Sequence, residues 1–118
     1  MDLSEYQRLA ECTSPSGEEV SKSRANRLGV YSRLVVAAMG LSGEAGEVLE
    51  QIKKVIGHDH LLDEDSVENE LGDVLWYVAE ICNDLGLSME HVAERNIAKL
   101  RRRYPDGFSS ERSVNREE

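Results

Sequence analysis

Hydrophobic and polar positions follow a helical period in four separate stretches of the chain. The longest is residues 26–57, where apolar side chains recur every three or four residues, as on one face of an α-helix. The same spacing marks residues 3–12, 63–85 and 89–104. Strand-like alternation is scarce, and the chain has only two prolines. The pattern therefore predicts an all-α fold, a bundle of four helices.

Capping and turn-forming residues stand where these helices are expected to begin and end. Asp63 or Asp65 can cap the start of the third helix, and Gly86 is a stop signal at its end. Ser88 is placed to cap the fourth helix. Residues 57–63, with the sequence GHDHLLD, are expected to form the loop between the second and third helices.

The length of 118 residues suits one domain. Residues 13–23, with the sequence TSPSGEEVSKS, are polar and rich in turn-forming residues, which predicts a loop. Residues 109–118 are poor in apolar side chains, which favours a flexible tail. We therefore expect a single domain over residues 1–108.

The net charge of −9 makes a nucleic acid or an anionic membrane surface a poor partner, because such binding depends on basic patches. No apolar run is long enough to cross a bilayer, and the start of the chain lacks the apolar segment of a signal peptide. A cytoplasmic location is expected. Cys12 and Cys82 form no metal-binding C-x-x-C motif, and Cys82 falls on an apolar stripe where burial is expected.

Two acidic pairs with the same internal spacing occupy matching places on the second and third helices. They are Glu44 with Glu47 and Glu70 with Asp73. Helical residues three apart lie on one face, so each pair directs two carboxylates the same way. If the helices pack antiparallel through their apolar stripes, both pairs flank one cleft. Clustered carboxylates repel one another unless a cation lies between them, and Mg²⁺ prefers such oxygen ligands.

Other interpretations of these acids are weaker. Single acidic residues on amphipathic helices are usually solvated, but a matched set beside three glycines within residues 40–46 favours a site. A carboxylate-bridged di-iron bundle needs Glu-x-x-His pairs on facing helices. The three histidines, His58, His60 and His91, do not supply that pattern.

With its three motifs, the chain resembles the MazG-like nucleotide pyrophosphohydrolases of the all-α NTP pyrophosphatase superfamily. The acids lie in GLSGEAGEVLEQIKK and ELGDVLWYV, and a third stretch, NIAKLRRRYPDGF, runs from Asn96 to Phe108. The superfamily includes the dimeric dUTPases and the dCTP pyrophosphatases. The resemblance covers residues 6–108.

The resemblance implies a helical homodimer or homotetramer that hydrolyses nucleoside or deoxynucleoside triphosphates to the monophosphate and pyrophosphate with Mg²⁺. Mn²⁺ is a possible substitute, and the expected role is cleaning of the nucleotide pool. The domain occurs once here, unlike in the two-domain enzymes of the family. Two alternatives stay open: a specialised pyrophosphohydrolase for dUTP, dCTP or phosphoribosyl-ATP, and a non-catalytic helical protein that binds nucleotide or metal.

The resemblance also assigns residues to the site. The implied metal ligands are Glu44, Glu47, Glu70 and Asp73. We take Glu47 as the catalytic base that accepts a proton from the attacking water. Tyr77 lies one turn beyond Asp73, where the related dCTP enzymes place a substrate-contacting tyrosine, whereas Trp76 faces away from the acids and is expected in the core or an interface.

Further substrate contacts are expected from basic residues. Lys54 lies seven residues after Glu47 on nearly the same face and can contact phosphate, although an i,i+4 pair with Glu50 is an equal alternative. The third motif offers substrate-binding or interface residues, namely Asn96, Lys99, Arg103 and Tyr104. The neighbouring arginines at 101 and 102 can instead serve the helix C-terminus, where positive charge is favourable.

Overall fold

The structure, a computed structural model, describes residues 1–15 and 32–116, and these ranges are all-α. Their helices are α1 (Leu3–Glu11), α2 (Ser32–His58), α3 (Glu64–Leu85), α4 (Met89–Arg103) and α5 (Ser110–Val114). The predicted all-α class is confirmed. Most of the loop expected at 13–23 and the expected start of the second helix near residue 26 lie outside the described residues. The short α5 forms within the stretch expected to be a tail.

The ends of α3 and α4 are fixed by the residues that the sequence marks for capping. The Asp63 carboxylate accepts a hydrogen bond from the Ser66 backbone N–H at 3.0 Å, so Asp63 rather than Asp65 caps α3. Gly86 ends α3 with a left-handed φ of 67°. The Ser88 hydroxyl accepts a hydrogen bond from the His91 N–H at 3.3 Å and caps α4. In both helices, a backbone N–H of the first turn that has no partner within the helix donates to the side chain of the capping residue.

Helices α2 and α3 pack antiparallel in one constant register. As the residue number rises along α2, the number of the facing residue towards the start of α3 falls by the same amount. The facing pairs are Arg33 with Asp84, Gly40 with Tyr77, Glu44 with Asp73, and Lys54 with Asp63. At a rise of about 1.5 Å per residue, this seam is roughly 30 Å long. The register decides which polar side chains meet at each level, and it places the acids of both helices opposite each other.

A small core holds α1 and the start of α4 against α3. Its buried members are Ala10, Ala79, Cys82 and Met89, with Tyr6, Trp76 and Val78 packed against them. The Gln7 side-chain amide donates hydrogen bonds to Asn83 Oδ1 at 2.9 Å and to the Leu87 carbonyl at 2.7 Å. The expected burial of Cys82 is confirmed, and Trp76 contacts this core, as one of the two sequence alternatives predicts.

A second apolar face of α2 is exposed. This outer face consists of Val35 and Met39 near the start of α2 and of Leu49, Ile52 and Ile56 near its end, and Met39 and Ile56 are 69% and 82% exposed. Large exposed apolar patches often mark interaction surfaces. None of the described helices is long and apolar enough to cross a membrane.

Candidate active site

Three carboxylates meet where α2 and α3 face each other. One oxygen atom from each of Glu44, Glu70 and Asp73 lies within 4.8 Å of the others. Glu70 and Asp73 share a face of α3 because they are three residues apart, and the antiparallel register brings Glu44 opposite them. Glu44 and Glu70 are half-buried and Asp73 is exposed. Among residues 1–15 and 32–116, the ion pairs formed by lysine and arginine lie elsewhere.

The fourth predicted ligand, Glu47, is exposed and lies beside this acidic trio rather than within it. Its charge still acts on the trio. The pKa of Glu44 is raised, first by burial and then by the negative charges of Asp73, Glu70 and Glu47. The pKa of Tyr6 on α1 is raised by burial and further by the charge of Asp73. The site is therefore a region of concentrated negative potential, which a cation would relieve.

The acidic trio fits a hard divalent cation. Mg²⁺ binds oxygen ligands at about 2.0–2.1 Å, so two ligands on opposite sides of the ion are about 4.2 Å apart. A spread of 4.8 Å closes to that distance with small changes of side-chain rotamer. Carboxylate oxygens without histidine or cysteine favour Mg²⁺ or Mn²⁺ over zinc.

Lys54 lies further along the same seam, towards the loop between α2 and α3. It lines a cleft of about 450 Å³ together with Gln51, His60, Leu61, Asp63 and Ser66. The pKa of Asp63 is lowered chiefly by hydrogen bonds from Ser66, with a further contribution from the Lys54 charge. Glu50 pairs with Lys53 at 3.6 Å. Within the described residues the alternative i,i+4 pair of Glu50 with Lys54 is not formed, and Lys54 lines the cleft.

Tyr77 lies one turn from the acidic trio in the opposite direction. Its half-buried ring packs directly on the backbone of α2 at Gly40. Its other neighbour is Trp76, whose ring meets it edge-on with centroids 5.0 Å apart. The seam thus presents, in order, an aromatic ring, a carboxylate cluster and a cleft with a lysine.

The residues of the third motif lie on and just after α4, which packs against α1 and α3. Asn96 and Lys99 are exposed, whereas Arg103 and Tyr104 are half-buried. In the described part of the chain, no hydrogen bond or ion pair joins these four residues to the acidic trio. The Arg103 Nε is buried without a hydrogen-bond partner in the same ranges.

A buried ionic network was not predicted from the sequence. The Arg33 guanidinium lies 3.0 Å from Asp84 Oδ1 and 3.4 Å from the buried Glu80 carboxylate. The Ser14 hydroxyl donates to Glu80 at 2.7 Å, which ties the end of α1 to α3. Burial raises the pKa of Asp84 even though Arg33 opposes that rise. The four-residue spacing of Glu80 and Asp84 was visible, but no signal linked them to Arg33 across the fold.

A carboxylate cluster on an antiparallel helix pair defines a class of helical protein whose acids are suited to hold a metal ion. Residues 36–108 match the MazG nucleotide pyrophosphohydrolase domain, and the chain belongs to that family. The Gene 37 protein of Mycobacterium phage L5 is 40% identical over 78 residues, which cover 63% of this chain and 68% of that protein. No solved structure is significantly similar to the chain. The predicted family is confirmed, and the matched residues include the acidic trio, Tyr77 and the third motif.

Proposed function

We propose that this chain hydrolyses nucleoside or deoxynucleoside triphosphates to the monophosphate and pyrophosphate with Mg²⁺, or Mn²⁺, as cofactor. The single observation that carries the proposal is the convergence of Glu44, Glu70 and Asp73 at one point of the α2–α3 seam. Within a family of nucleotide pyrophosphohydrolases, such a cluster is suited to a metal that meets phosphate oxygens. Cleaning of the nucleotide pool is the proposed role, for which the expected cytoplasmic location is suitable.

The residues have distinct roles in this proposal. When bound by the acidic trio and Glu47, the ion neutralises charge on the phosphate oxygens and favours deprotonation of the attacking water. That water forms a bond to the α-phosphorus, the bond from the α-phosphorus to the bridging oxygen breaks, and pyrophosphate leaves. Glu47 accepts the water proton, because it is exposed and lies one turn from Glu44.

The seam suggests how the substrate is oriented. Lys54 in its cleft contacts phosphate oxygens as a point charge. Tyr77, at the other end of the acidic trio, contacts the nucleoside through its ring. The third-motif residues complete the substrate site from another chain, namely Asn96, Lys99, Arg103 and Tyr104.

A homodimer, or a homotetramer built from it, is the proposed working form. The outer apolar face of α2 is exposed in one chain, with Leu49 64% and Met39 69% accessible. Covering such a face by a second copy removes apolar area from water at about 25 cal/mol per Å². The same association offers a route for α4 of one chain to reach the acidic trio of its partner.

The proposal is tested by incubating the protein and Mg²⁺ with a panel of common and damaged nucleoside triphosphates and separating the products. Monophosphate with pyrophosphate is expected, and the ranking of substrates identifies the preferred base. Glu47→Gln should retain nucleotide binding and lose turnover, whereas Glu68→Gln, an exposed acid of α3, should behave as wild type.

Two results would count against this proposal. Diphosphate with phosphate as products would indicate attack at a different phosphorus. Folded protein that binds nucleotide without turnover on any member of the panel would favour the non-catalytic alternative. Unchanged turnover in Glu47→Gln would refute only its role as the base.

A further inference from the structure

An aromatic ring from α3 occupies the space beside Gly40 of α2 where a side chain would otherwise lie. A Cβ atom built on Gly40 would lie 2.7 Å from Cδ1 of Tyr77 and still closer to Cε1 and Cζ. Built on Gly43, Gly46 or Gly57 of the same helix, it would meet no described atom within 4 Å. Among the described glycines of α2, therefore, Gly40 is the one at which a contact with α3 depends on the absence of a side chain.

The Tyr77 ring has a second neighbour. Trp76 meets it edge-on, at an interplanar angle of 88°. The Trp76 indole Nε1–H donates to Thr13 Oγ1 at 2.7 Å, and the Thr13 hydroxyl donates to the Ala10 carbonyl at 2.8 Å. The ring is thus in contact with the backbone of α2 and close to an indole tied to the end of α1, while part of the residue stays exposed.

The register places this ring beside the acidic trio. Gly40 precedes Glu44 by four residues and Tyr77 follows Asp73 by four, so the ring lies one turn, about 6 Å, along the helix pair. The cleft that holds Lys54 lies on the other side of the acids. A triphosphate that extends from the acids towards Lys54 directs its nucleoside towards Tyr77.

We infer that Gly40 is a positioning residue for the substrate: its missing side chain fixes the Tyr77 ring at the nucleoside end of the acidic trio. This inference rests on the proposed function. Because the ring is half-buried and at the end of a rotatable side chain, a methyl group at position 40 displaces the ring without unfolding the helix pair. The expected consequence is weaker nucleotide binding with intact chemistry at the acids.

The test compares Gly40→Ala with Gly43→Ala, which adds the same methyl group to α2 without meeting a described atom. Steady-state kinetics with the best nucleotide should show KM raised about tenfold in Gly40→Ala, the loss of one aromatic contact, with kcat within twofold of wild type. Gly43→Ala should retain both constants. In a Tyr77→Ala background, Gly40→Ala should raise KM no further, because the ring through which it acts is absent.

The outcomes separate this inference from the proposed function. Wild-type protein without turnover or binding overturns both. If the wild-type protein is active, an unchanged KM in Gly40→Ala overturns the positioning role alone. The same follows if Gly40→Ala raises KM as much in the Tyr77→Ala background as it does in wild type. If Gly40→Ala fails to fold, Tyr77→Phe and Tyr77→Leu replace it. Phe fills the space at Gly40 and should retain the wild-type KM, Leu should raise it, and equal KM values contradict the inference.

Discussion

At the scale of single residues, the carboxylates of the acidic trio repel one another and are suited to bind a metal ion. The pKa of Glu44 is raised above its ordinary value of 4.5 by burial and by neighbouring carboxylates. A carboxyl group whose folded-state pKa is raised binds its proton more tightly when folded. Its ionisation therefore lowers stability as the pH rises through the folded-state pKa, and this loss is absent below pH 4.5.

Replacing Glu44 should therefore have opposite effects with and without metal. In EDTA at pH 7, Glu44→Gln should melt at a higher temperature than wild type, and the difference should vanish below pH 4.5. Mg²⁺ at about 100 times its Kd should stabilise wild type by about 2.7 kcal/mol and the variant far less. Thermal unfolding monitored by circular dichroism measures both effects.

The matched control for Glu44→Gln is Glu50→Gln, an exposed acid of α2 that lies outside the trio and pairs with Lys53. It should change neither the melting temperature in EDTA nor the response to Mg²⁺. A Glu44→Gln protein with the wild-type response to Mg²⁺ would show that Glu44 is not a ligand.

Residue-scale chemistry was predictable where it depends on spacing within one helix. The three-residue spacings singled out Glu44 with Glu47 and Glu70 with Asp73, and the structure brings all of these together except Glu47, which lies beside the trio. The contact of Tyr77 with Gly40 was not predictable, since it depends on the register between two helices. The Arg33 network has the same origin, because its members are distant in the sequence and meet only at that register.

At the scale of helices, the boundaries follow from local backbone chemistry. The Asp63 and Ser88 caps were visible in the sequence because a side-chain acceptor stands directly before an apolar period. The short α5 was missed because it buries no residue, so it leaves no apolar pattern. Its Ser109 cap, which accepts a hydrogen bond from the Arg112 N–H at 3.4 Å, was the available signal.

The left-handed end of α3 gives a stability prediction. Gly86 has a φ of 67°, where a Cβ atom is unfavourable, so Gly86→Ala should destabilise the protein by about 1 kcal/mol. Gly57 lies within α2 and a Cβ there meets no described atom. Gly57→Ala should therefore stabilise by about 0.5–1 kcal/mol. Urea unfolding curves measure both, and the same sign for the two variants would contradict the argument.

The ionic network that joins α2 to α3 gives a prediction that depends on pH. Arg33→Met leaves the Glu80 and Asp84 carboxylates without their cation, which should cost about 2 kcal/mol at pH 7, since Arg33 is itself one-third exposed. The pKa of Asp84 is raised in the folded state, so ionisation of this carboxyl lowers the stability of the fold. This loss is absent at low pH, where Asp84 is protonated, and develops as the pH rises through the folded-state pKa. The defect in Arg33→Met should therefore shrink towards pH 4.

Urea unfolding at pH 7 and at pH 4 measures this change. Lys53→Met is the control, because its exposed pair with Glu50 is worth only a few tenths of a kcal/mol. A defect in Arg33→Met that is equally large at both pH values would show that lost packing, rather than uncompensated charge, is the cause.

At the scale of the whole molecule, the proposed reaction uses two groups of residues that the described part of one chain does not join. The acidic trio is assembled within the chain, whereas the third motif on α4 is not joined to it in the described residues. The outer face of α2 is apolar at a spacing that the sequence analysis assigned to a single stripe. The apolar pattern of α2 alone could not show which of these residues pack against α3 and which are exposed, because that depends on contacts between helices.

A charge placed on the outer face of α2 should therefore both separate the chains and stop the reaction. Leu49→Glu puts a carboxylate at a position that is 64% exposed in one chain and buried in the proposed dimer, where an unpaired charge is costly. Light scattering coupled to gel filtration should show the mass of at least two chains for wild type and of one chain for the variant. Pyrophosphate release should fall at least a hundredfold in the variant, since more than about 2.7 kcal/mol of site assembly is lost.

Val114→Glu is the matched control for Leu49→Glu, because it adds the same charge to an apolar residue that is 83% exposed on α5. It should leave both the mass and the turnover unchanged. Circular dichroism should show α2 intact in Leu49→Glu, so that loss of activity is not loss of fold. A monomeric and fully active Leu49→Glu protein would mean that one chain holds the complete site, and the third motif would then have no role across an interface.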